Sequence, residues 1–351
     1  MTPRNRMVTV FSSIQQIASS IRKAAPEVPL NEIFDDALTG YGGTVTFDPK
    51  SLKPSTKEEL ASAQILITEP AVLAAILQHD PSAFPKLQWC QSTYAGIDPM
   101  FKTPGINMPL PFTMTRFAGK FGPPIAEWTM ARIIGHERQF ALTAQDQKEK
   151  AWAGSGPKVT TYRYLSDLTL VILGGCGDIG SCIGRAAKAF GMRVIAFSKT
   201  PRNNNKLPQG IDECSTDLKD VLIQADYLVS VLPSTGDTQG LLSGEALAPC
   251  SSEQGGKCPA FLNVGRGDVI DESNLISALD RGYISAAILD VFETEPLPKE
   301  SALWERPDVI VSPHVSGVTR AQDVPDLFLD NYKRYVEGKD LQFVVDWNKG
   351  Y

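Results

Sequence analysis

The sequence has few histidines, no closely spaced cysteine pair and no long apolar run. It contains three histidines and six cysteines in 351 residues, and no two cysteines have the C-x-x-C spacing of a structural zinc site. No segment approaches the roughly 18 consecutive apolar residues of a membrane-spanning helix. The first residues include two arginines but no apolar core behind them, unlike a signal peptide. These absences predict a cytoplasmic protein with no metal site and no membrane association.

An excess of positive charge is also missing. The chain has 34 Lys and Arg against 40 Asp and Glu, a net charge of −6, which argues against nucleic acid as the main partner. The length predicts about two domains. In a reducing compartment the six cysteines are expected to be free thiols. A disulfide between Cys250 and Cys258, which flank a loop with two glycines, is the alternative.

A glycine motif near the middle of the chain carries the strongest functional signal. The apolar run Leu170–Leu173 leads into Gly175-x-Gly177-x-x-Gly180, and a helical pattern follows. A strand, a glycine turn and a helix N-terminus together form a site for a dinucleotide pyrophosphate. The first glycine permits the turn, the second lets the backbone approach the phosphates, and the third lets helix and strand pack. The expected cofactor contacts of this segment are Gly175, Gly177, Asp178, Ile179 and Gly180, and the competing interpretation is a purely structural turn.

The position of the motif predicts two domains. About 170 residues precede it, enough for a separate domain, and their strands alternate with helices, as in a parallel sheet. Five further strands are predicted after the motif: Arg193–Phe197, Ala225–Leu232, Ala260–Val264, Ala286–Leu289 and Val309–Ser312. We therefore predict an α/β protein with two Rossmann- or flavodoxin-like domains, each with a doubly wound parallel sheet, and a cleft between them. Residues 1–124 and 325–351 form the predicted substrate domain, and residues 125–324 form the dinucleotide-binding domain.

The end of the second strand of the nucleotide domain predicts which dinucleotide binds. NAD sites usually have an acidic residue there, bonded to the ribose 2′-hydroxyl, and this sequence has Ser198. Lys199 and Arg202 can pair with a 2′-phosphate, and Ser198 can donate a hydrogen bond to it. NADP(H) is therefore the preferred cofactor and NAD(H) the alternative, while a solvated basic loop is the competing interpretation.

Three segments at the ends of predicted strands carry chemically useful side chains. They are Asn263–Asp268, Leu289–Pro298 and Ser312–Gly317. The planar fork of Arg266 matches a carboxylate and can polarise a neighbouring carbonyl. His314 can deliver a proton to an oxygen as hydride reaches the adjoining carbon. A carboxylate on the far ring nitrogen would orient His314, and Glu295 is preferred to Glu293 for that role.

The other two histidines are given no chemical role. His79 is interpreted as a helix-end residue. His136, next to Glu137 and Arg138 in the predicted helix Ile125–Phe140, is interpreted as a surface residue.

These motifs together resemble the D-isomer-specific 2-hydroxyacid dehydrogenases. The resemblance is carried by the glycine turn, NVGRG at 263–267, LDVFETEPLP at 289–298 and SPHVSG at 312–317. QSTYAGID at 91–98 is similar to the family's substrate loop, and VDWNKGY at 345–351 to its tail. The segment at 296–320 is most similar to the glyoxylate/hydroxypyruvate reductase branch, whose members prefer NADPH.

The resemblance implies roles for particular residues. Arg266, Glu295 and His314 are the expected catalytic residues. Substrate contacts are expected from Arg266, His314, Tyr94 and the backbone amides of Ala95 and Gly96. Asp290 is expected to hold the nicotinamide amide with help from the Val264 carbonyl. The further expected cofactor contacts are Leu232, Pro233, Thr238, Gly265 and Gly317.

The resemblance also implies an activity. The expected reaction is NADPH-dependent reduction of small 2-keto acids such as glyoxylate and hydroxypyruvate to 2-hydroxy acids, with His314 as proton donor. The alternatives are a nucleotide-sensing co-regulator of the same fold and an NAD-linked enzyme that oxidises 2-hydroxy acids. A homodimer is expected through the segment 125–152.

Overall fold

The computed structural model describes residues 6–40, 45–152, 154–203 and 206–348. The chain divides into two compact units. Unit 1 comprises residues 1–120 and 318–351, and unit 2 comprises residues 121–317. The last three residues of the tail motif at 345–351 lie outside the described ranges. The assignment of substrate binding to one unit and dinucleotide binding to the other stays a prediction.

Unit 1 is built on a parallel sheet of five strands. The strands described in unit 1 as a whole are, in chain order, β1 (Val8–Val10), β2 (Leu30–Glu32), β3 (Leu38–Thr39), β4 (Thr46–Phe47), β5 (Ile65–Thr68), β6 (Trp89–Ser92) and β7 (Thr113–Thr115). The spatial order is β2-β1-β5-β6-β7, and β3 pairs with β4 as a separate antiparallel ribbon. All residues of β5 and β6 are buried, as expected for central strands of a parallel sheet covered on both faces.

The helices of unit 1 lie between these strands, and its last helix comes from the end of the chain. The first four are α1 (Ile17–Ala24), α2 (Pro54–Ser62), α3 (Pro70–His79) and α4 (Asp98–Lys102). The terminal helix of unit 1, Val324–Val336, packs against α1. Its Phe328 stacks on Trp89 of β6 with ring centroids 5.3 Å apart. Burial of these two aromatic rings holds the terminal helix against the sheet.

Unit 2 contains a parallel sheet of seven strands. They are β8 (Thr169–Leu173), β9 (Arg193–Phe197), β10 (Glu213–Ser215), β11 (Tyr227–Ser230), β12 (Ala260–Asn263), β13 (Ala286–Leu289) and β14 (Val309–Val311). Their spatial order is β10-β9-β8-β11-β12-β13-β14, and the chain direction across the sheet reverses between β8 and β11. This is the switch point at which doubly wound sheets bind ligands. The predicted fold class, α/β with parallel sheets in two Rossmann-like domains, is confirmed.

Among the helices of unit 2, the predicted helix Ile125–Phe140 has a different start and a different end in the structure. The helices are α5 (Gly122–Glu137), α6 (Phe140–Glu149), α7 (Pro157–Thr160), α8 (Asp178–Ala189), α9 (Leu218–Gln224) and α10 (Glu272–Asp280). The predicted helix Ile125–Phe140 starts earlier, because Pro123 and Pro124 fit a first turn whose amides have no partner within the helix. It ends at Glu137, since Gln139 adopts a left-handed conformation with φ 52° and separates α5 from α6.

His136 is not the surface residue that the sequence predicted. It is half-buried in α5, and its Nδ1 lies 2.7 Å from the Tyr227 hydroxyl. Loss of solvent lowers the pKa of His136, although the charge of Glu137 opposes this. The prediction was wrong because the start of β11 approaches this helix, and a helical pattern alone does not reveal that contact.

No helix in the described ranges is both long and apolar enough to cross a membrane.

Candidate active site

The three chemical segments of unit 2 follow three neighbouring strands. Strand β12 pairs with β13, and β13 pairs with β14, all in parallel. The segments after Asn263, Leu289 and Val311 therefore leave the sheet side by side at its carboxyl edge. This register brings parts of the sequence up to 50 residues apart to one place, as the strand-end positions predicted.

His314 and Glu295 contact each other at this edge. The Nδ1 of His314 lies 2.8 Å from Oε2 of Glu295, and the two side chains are 39% and 31% exposed. The other carboxylate oxygen of Glu295 accepts a hydrogen bond of 2.9 Å from the Phe292 amide. Glu295 is thus held by its own loop and fixes one nitrogen of the imidazole ring, which leaves Nε2 to face a reacting group.

The charge state of Glu295 follows from these contacts. Burial by itself favours the neutral acid. The hydrogen bond and charge of His314, the Phe292 amide and the charge of Arg266 outweigh burial, so the pKa of Glu295 is lowered. The carboxylate is therefore ionised at neutral pH. Glu293 instead lines a small cavity of about 70 Å³, so Glu295 is the one of the two glutamates that contacts His314.

His314 has an uncommon backbone conformation. Its φ is 53°, in the left-handed region, and its amide donates to the Asp290 carbonyl at 2.9 Å. Strained backbone of this kind persists only where the surroundings determine it. Here the Asp290 carboxylate supplies much of that support. Its Oδ1 accepts from the Ser312 hydroxyl and the Val315 amide, and its Oδ2 accepts from the Ser316 amide.

Asp290 is therefore first a residue that builds the His314 loop. It is fully buried, and its three donors occupy three of the roughly four acceptor positions of a carboxylate. One position on Oδ2 is left for a further donor. The predicted contact with a nicotinamide amide is compatible with this arrangement and stays a prediction.

Arg266 lies in the loop after β12, close enough for its charge to act on Glu295. Its guanidinium donates to the Gly265 carbonyl at 2.8 Å. The Asn263 side chain donates to the Arg266 carbonyl and accepts from the Gly265 amide. These bonds fix the conformation of the turn and hold the Arg266 guanidinium in position.

Gly267 explains why the arginine loop and the glutamate loop lie together. A Cβ at this position would be 1.8 Å from the carbonyl carbon of Phe292, so only glycine permits the two backbones to touch. The glutamate and arginine loops are thus packed backbone to backbone, which ties the positions of Arg266 and Glu295 to each other.

The glycine turn has the structure that its motif predicts. A Cβ on Gly175 would lie 2.7 Å from the Ala196 side chain, and one on Gly180 would lie 2.5 Å from Gly175. These two glycines permit close packing of the turn on β9 and of α8 on the turn. Gly177 differs, because its nearest neighbour, the Gly174 carbonyl, would be at an ordinary distance of 3.4 Å from an added Cβ.

Gly177 is also the N-cap of α8 and offers no side-chain acceptor to the first amides of the helix. Those amides belong to Asp178, Ile179 and Gly180. The start of α8 is therefore a set of amide donors without helical acceptors at the positive end of a helix dipole, with Asp178 exposed and Gly180 buried. Such a set suits a phosphate group.

The basic residues after β9 lie near the end of β10. The Ser198 amide donates to the Ser215 carbonyl at 3.1 Å. Lys199 forms an exposed ion pair with Asp237, with a distance of 2.7 Å from Nζ to Oδ2. Arg202 is exposed and has no carboxylate partner in the described part of the chain. In the same ranges, no acidic side chain takes the place that Ser198 occupies.

The remaining predicted cofactor residues lie in loops of unit 2. The Thr238 hydroxyl closes the loop after β11 by donating to the Pro233 carbonyl and accepting from the Thr235 amide. A Cβ on Gly265 would be 2.6 Å from the Leu232 carbonyl, which packs the loops after β11 and β12 together. Val264 is buried, and its amide donates to Ser230.

Gly317 has a packing reason to be glycine. A Cβ there would lie 2.8 Å from the Ile125 side chain of α5. Its predicted role as a cofactor contact is not needed to explain the residue.

The predicted substrate loop lies in unit 1, at the carboxyl end of β6. The Ser92 hydroxyl accepts from the Tyr94 amide and donates to the Tyr94 carbonyl. In the described ranges the structure shows no acceptor for the amides of Ala95 and Gly96. The loop therefore presents two adjacent backbone donors.

Several residues that support this site were not predicted from the sequence. Ser312, the Phe292 amide and Asn263 hold the three loops through the bonds given above. Asn263 ends β12 and Ser312 directly follows β14, both inside the recognised motifs, and that position was the available signal. The role of a backbone amide such as that of Phe292 leaves no signal in the sequence.

Comparison with known proteins places the chain in a family. Residues 130–316 match the model of the NAD binding domain of the D-isomer specific 2-hydroxyacid dehydrogenases. Glyoxylate/hydroxypyruvate reductase B of Citrobacter koseri is 31% identical over 290 residues, 79% of this chain and 82% of the relative.

Solved structures agree. A D-isomer specific 2-hydroxyacid dehydrogenase family protein from Aeromonas salmonicida is 32% identical with a TM-score of 0.79, and 98% of this chain and 99% of that one are covered. An NADPH-dependent glyoxylate/hydroxypyruvate reductase from Sinorhizobium meliloti, solved with NADP and sulfate, is 26% identical with a TM-score of 0.77 and the same coverage.

The chain belongs to the D-isomer specific 2-hydroxyacid dehydrogenases, a family of NAD(P)-dependent oxidoreductases. This membership confirms the resemblance seen in the sequence and the predicted enzyme class.

Proposed function

We propose that the protein is an NADPH-dependent reductase of small 2-keto acids, with glyoxylate and hydroxypyruvate as its leading substrates. The observation that carries the proposal is the hydrogen-bonded pair of His314 and Glu295 beside Arg266 at the carboxyl edge of the unit 2 sheet. A proton donor, its orienting acid and a carboxylate-binding cation are the groups that reduction of a 2-keto acid requires.

The residues of the glycine turn fit the coenzyme. No packing contact requires glycine at 177, and the first amides of α8 have no side-chain cap. Both features are expected if a pyrophosphate approaches the backbone here. The bound coenzyme would supply a hydride from its nicotinamide ring, and the protein would supply position, proton and charge.

His314 is proposed as the proton donor. Its Nδ1 faces Glu295, so Nε2 carries the proton that goes to the substrate oxygen. The ionised Glu295 stabilises the protonated ring before transfer. Arg266 pairs with the substrate carboxylate and polarises the adjacent carbonyl. Asp290 would hold the nicotinamide amide through its remaining acceptor position.

The substrate carboxylate would also be held by the amides of Ala95 and Gly96, which have no acceptor of their own in the described ranges. Tyr94 next to them would limit the size of the substrate side chain. The names of the relatives from Citrobacter koseri and Sinorhizobium meliloti support glyoxylate and hydroxypyruvate as the substrate class.

NADPH is preferred because of the residues after β9. Ser198 replaces the acid that would repel a 2′-phosphate, and Arg202 is an exposed guanidinium without an acidic partner in the described ranges. The Sinorhizobium relative is named NADPH-dependent, in agreement with this assignment.

A steady-state assay tests both parts of the proposal. Purified protein is expected to oxidise NADPH in the presence of glyoxylate or hydroxypyruvate. The KM for NADPH should be at least about tenfold below the KM for NADH, because one charge-assisted hydrogen bond to the 2′-phosphate changes affinity by about that factor. Ser198→Asp should raise the KM for NADPH far more than the KM for NADH. Lys219→Ala, which removes an exposed cation on α9, is the control and should leave both unchanged. A lower KM for NADH would instead favour the NAD-linked oxidation of 2-hydroxy acids.

We further propose a cytoplasmic homodimer. All six cysteines are free thiols, as is usual in a reducing compartment. Two large aromatic side chains are exposed at the two ends of α6, namely Phe140 at its start and Trp152 shortly after its end. Exposed large aromatic side chains are typical of an interface between subunits.

A further inference from the structure

Two cysteines far apart in the sequence meet beside the glycine turn. The Sγ atoms of Cys176 and Cys214 are 3.5 Å apart. Cys176 lies between the first two glycines of the motif, and Cys214 lies in the middle of β10. Both are partly exposed, whereas Cys90, Cys182 and Cys250 are buried.

The packing of the turn explains the meeting. Gly175 lies against Ala196 of β9, where an added Cβ would be 2.7 Å from the alanine methyl. Ala196 is paired in register with Cys214 on the neighbouring strand. The residue after Gly175 therefore projects toward β10. The contact between the two sulfurs is thus determined by the strand register and by the close packing that Gly175 permits, and it forms only when the chain is folded.

We propose that Cys176 and Cys214 form a reversible disulfide when the protein meets a peroxide, and that this bond weakens coenzyme binding at the glycine turn. The second half of the proposal rests on the proposed coenzyme site. Disulfides that form in the cytoplasm are usually transient and redox-sensing, and two thiols already in contact need little rearrangement to be joined.

The chemistry balances with a peroxide as oxidant. The sulfur of Cys176 attacks one peroxide oxygen, the O–O bond breaks, and a sulfenic acid and one water result. The Cys214 sulfur then attacks the sulfenic sulfur, the S–OH bond breaks, and hydroxide leaves with the Cys214 proton as a second water. The two thiols lose two electrons, and the peroxide gains them. A dithiol reductant reverses the bond by exchange.

The surroundings of the two sulfurs support this order. Burial, and then the neighbouring Cys176, raise the pKa of Cys214 to about 12, although Arg202 opposes the change. A protonated thiol reacts slowly with peroxide. Cys214 is therefore the thiol that resolves the sulfenic acid, and Cys176 is the one that forms it.

The disulfide would act on the predicted phosphate site through the backbone. A disulfide requires the sulfurs to be about 2.05 Å apart, so the 3.5 Å separation must shorten. This pulls the turn between Gly175 and Gly177 toward β10, whose Ser215 carbonyl accepts from the Ser198 amide. The pyrophosphate donors and the 2′-phosphate residues would both be displaced.

The test uses the full chain with hydrogen peroxide as the oxidant. After oxidation, free thiols are alkylated and the digest is analysed by mass spectrometry for a peptide pair joined through Cys176 and Cys214. The affinity for NADPH is measured by nucleotide fluorescence before oxidation, after oxidation and after dithiothreitol. We expect the linked pair in the wild type, a loss of about tenfold in NADPH affinity, equivalent to one hydrogen bond to a charged phosphate, and recovery on reduction.

Two variants separate this disulfide from other oxidation. Cys214→Ser should abolish the linked pair and the loss of affinity. Cys258→Ser removes the third partly exposed thiol and should behave as the wild type. Absence of the linked pair in the wild type, or a linked pair with unchanged NADPH affinity, would overturn the proposal. Failure of the proposed function is recognised separately, because the reduced protein would then not bind NADPH while the linked peptide could still be scored.

Discussion

At the scale of single residues, the proposed proton donor depends on one carboxylate. Glu295 is held by the Phe292 amide and in turn holds Nδ1 of His314. Glu293, two residues earlier, has the same side chain but faces a cavity. The loop therefore contains a matched pair of glutamates, of which one contacts the histidine.

Replacing each glutamate by glutamine tests the assignment. Glu295→Gln keeps the shape but removes the charge that stabilises a protonated His314, so kcat with glyoxylate and NADPH should fall by about 10²-fold, at the low end of what a general acid contributes. Because the pKa of Glu295 is lowered, the wild-type carboxylate stays ionised down to pH values below its ordinary 4.5. In the steady-state pH profile, the wild type should therefore keep the contribution of Glu295 to kcat until the pH falls below 4.5, whereas Glu295→Gln should show no such loss on the acid side.

Glu293→Gln is the control and should retain wild-type kcat and the wild-type pH profile. Equal losses in both variants would mean that the loop needs its negative charge in general, and the assignment of Glu295 as the orienting acid would be wrong.

At the scale of elements, α10 positions the arginine loop. A short turn connects Arg266 to this helix, and Asp271 is its N-cap. The Oδ1 of Asp271 accepts from the Asn274 amide at 2.9 Å and from the Ser273 hydroxyl at 2.7 Å. The Ser243 hydroxyl donates to its other oxygen. The cap thus joins the start of α10 to the loop after β11.

Loss of this cap should destabilise the protein in a pH-dependent way. Asp271→Ala is expected to lower the free energy of unfolding by about 1 kcal/mol at pH 7, the usual value of an N-cap. The hydroxyl of Ser273, together with the other donors, lowers the pKa of Asp271 below its ordinary 3.8. A lowered pKa stabilises the fold above the unfolded-state value and loses this effect as pH falls through the folded-state value.

Urea unfolding, followed by circular dichroism at several pH values, measures the free energy of unfolding of the wild type and of Asp271→Ala. The difference between wild type and Asp271→Ala should be constant from pH 7 to pH 5 and shrink below the ordinary aspartate pKa of 3.8. Asp271→Asn, which can still cap the helix, should lose less than the alanine variant at pH 7. A difference that grows on acidification would contradict the role given to the carboxylate.

A network of hydrogen bonds and an ion pair connects two further elements at the opposite edge of the same sheet. The Tyr227 hydroxyl donates to Glu137 at 2.7 Å, and Glu137 also pairs with Arg163. The charge and hydrogen bond of Arg163 overcome burial and lower the pKa of Glu137. This network ties the end of α5 to the start of β11, far from the carboxyl edge where the candidate site lies.

At the scale of the whole molecule, the exposed aromatic residues around α6 predict self-association. Trp152 is 100% exposed, which is rare for so large an apolar side chain in a monomer. Burial of such a residue at a subunit interface commonly supplies a large part of the binding energy.

Light scattering coupled to size exclusion tests the oligomeric state. The wild type should elute with twice the 38.2 kDa mass of one chain. Trp152→Ser should shift the population toward the monomer. Phe190→Ser, which removes another exposed aromatic residue at the end of α8, should leave the dimer intact. A monomeric wild type at all concentrations tested would remove the proposal of a homodimer.

The amino-acid sequence by itself determined the features that depend on neighbours along the chain. The apolar run, the glycine turn and the helix after it are local, so the strand, turn and helix around Gly175 were predictable from residue type and spacing. The same holds for the strands that precede Arg266, Glu295 and His314. Because the loops that follow parallel strands all leave the sheet at its carboxyl edge, the proximity of these three segments was also predictable from their position at strand ends.

Only the tertiary structure decided the contacts between distant residues. That Cys176 contacts Cys214, that the Phe292 amide holds Glu295 and that His136 is half-buried against Tyr227 all depend on strand register and on how closely two backbones approach. Register and approach are set by packing of the whole sheet, through glycines such as Gly267 that permit contact. A sequence pattern records which residue can form a contact, and packing selects the partner.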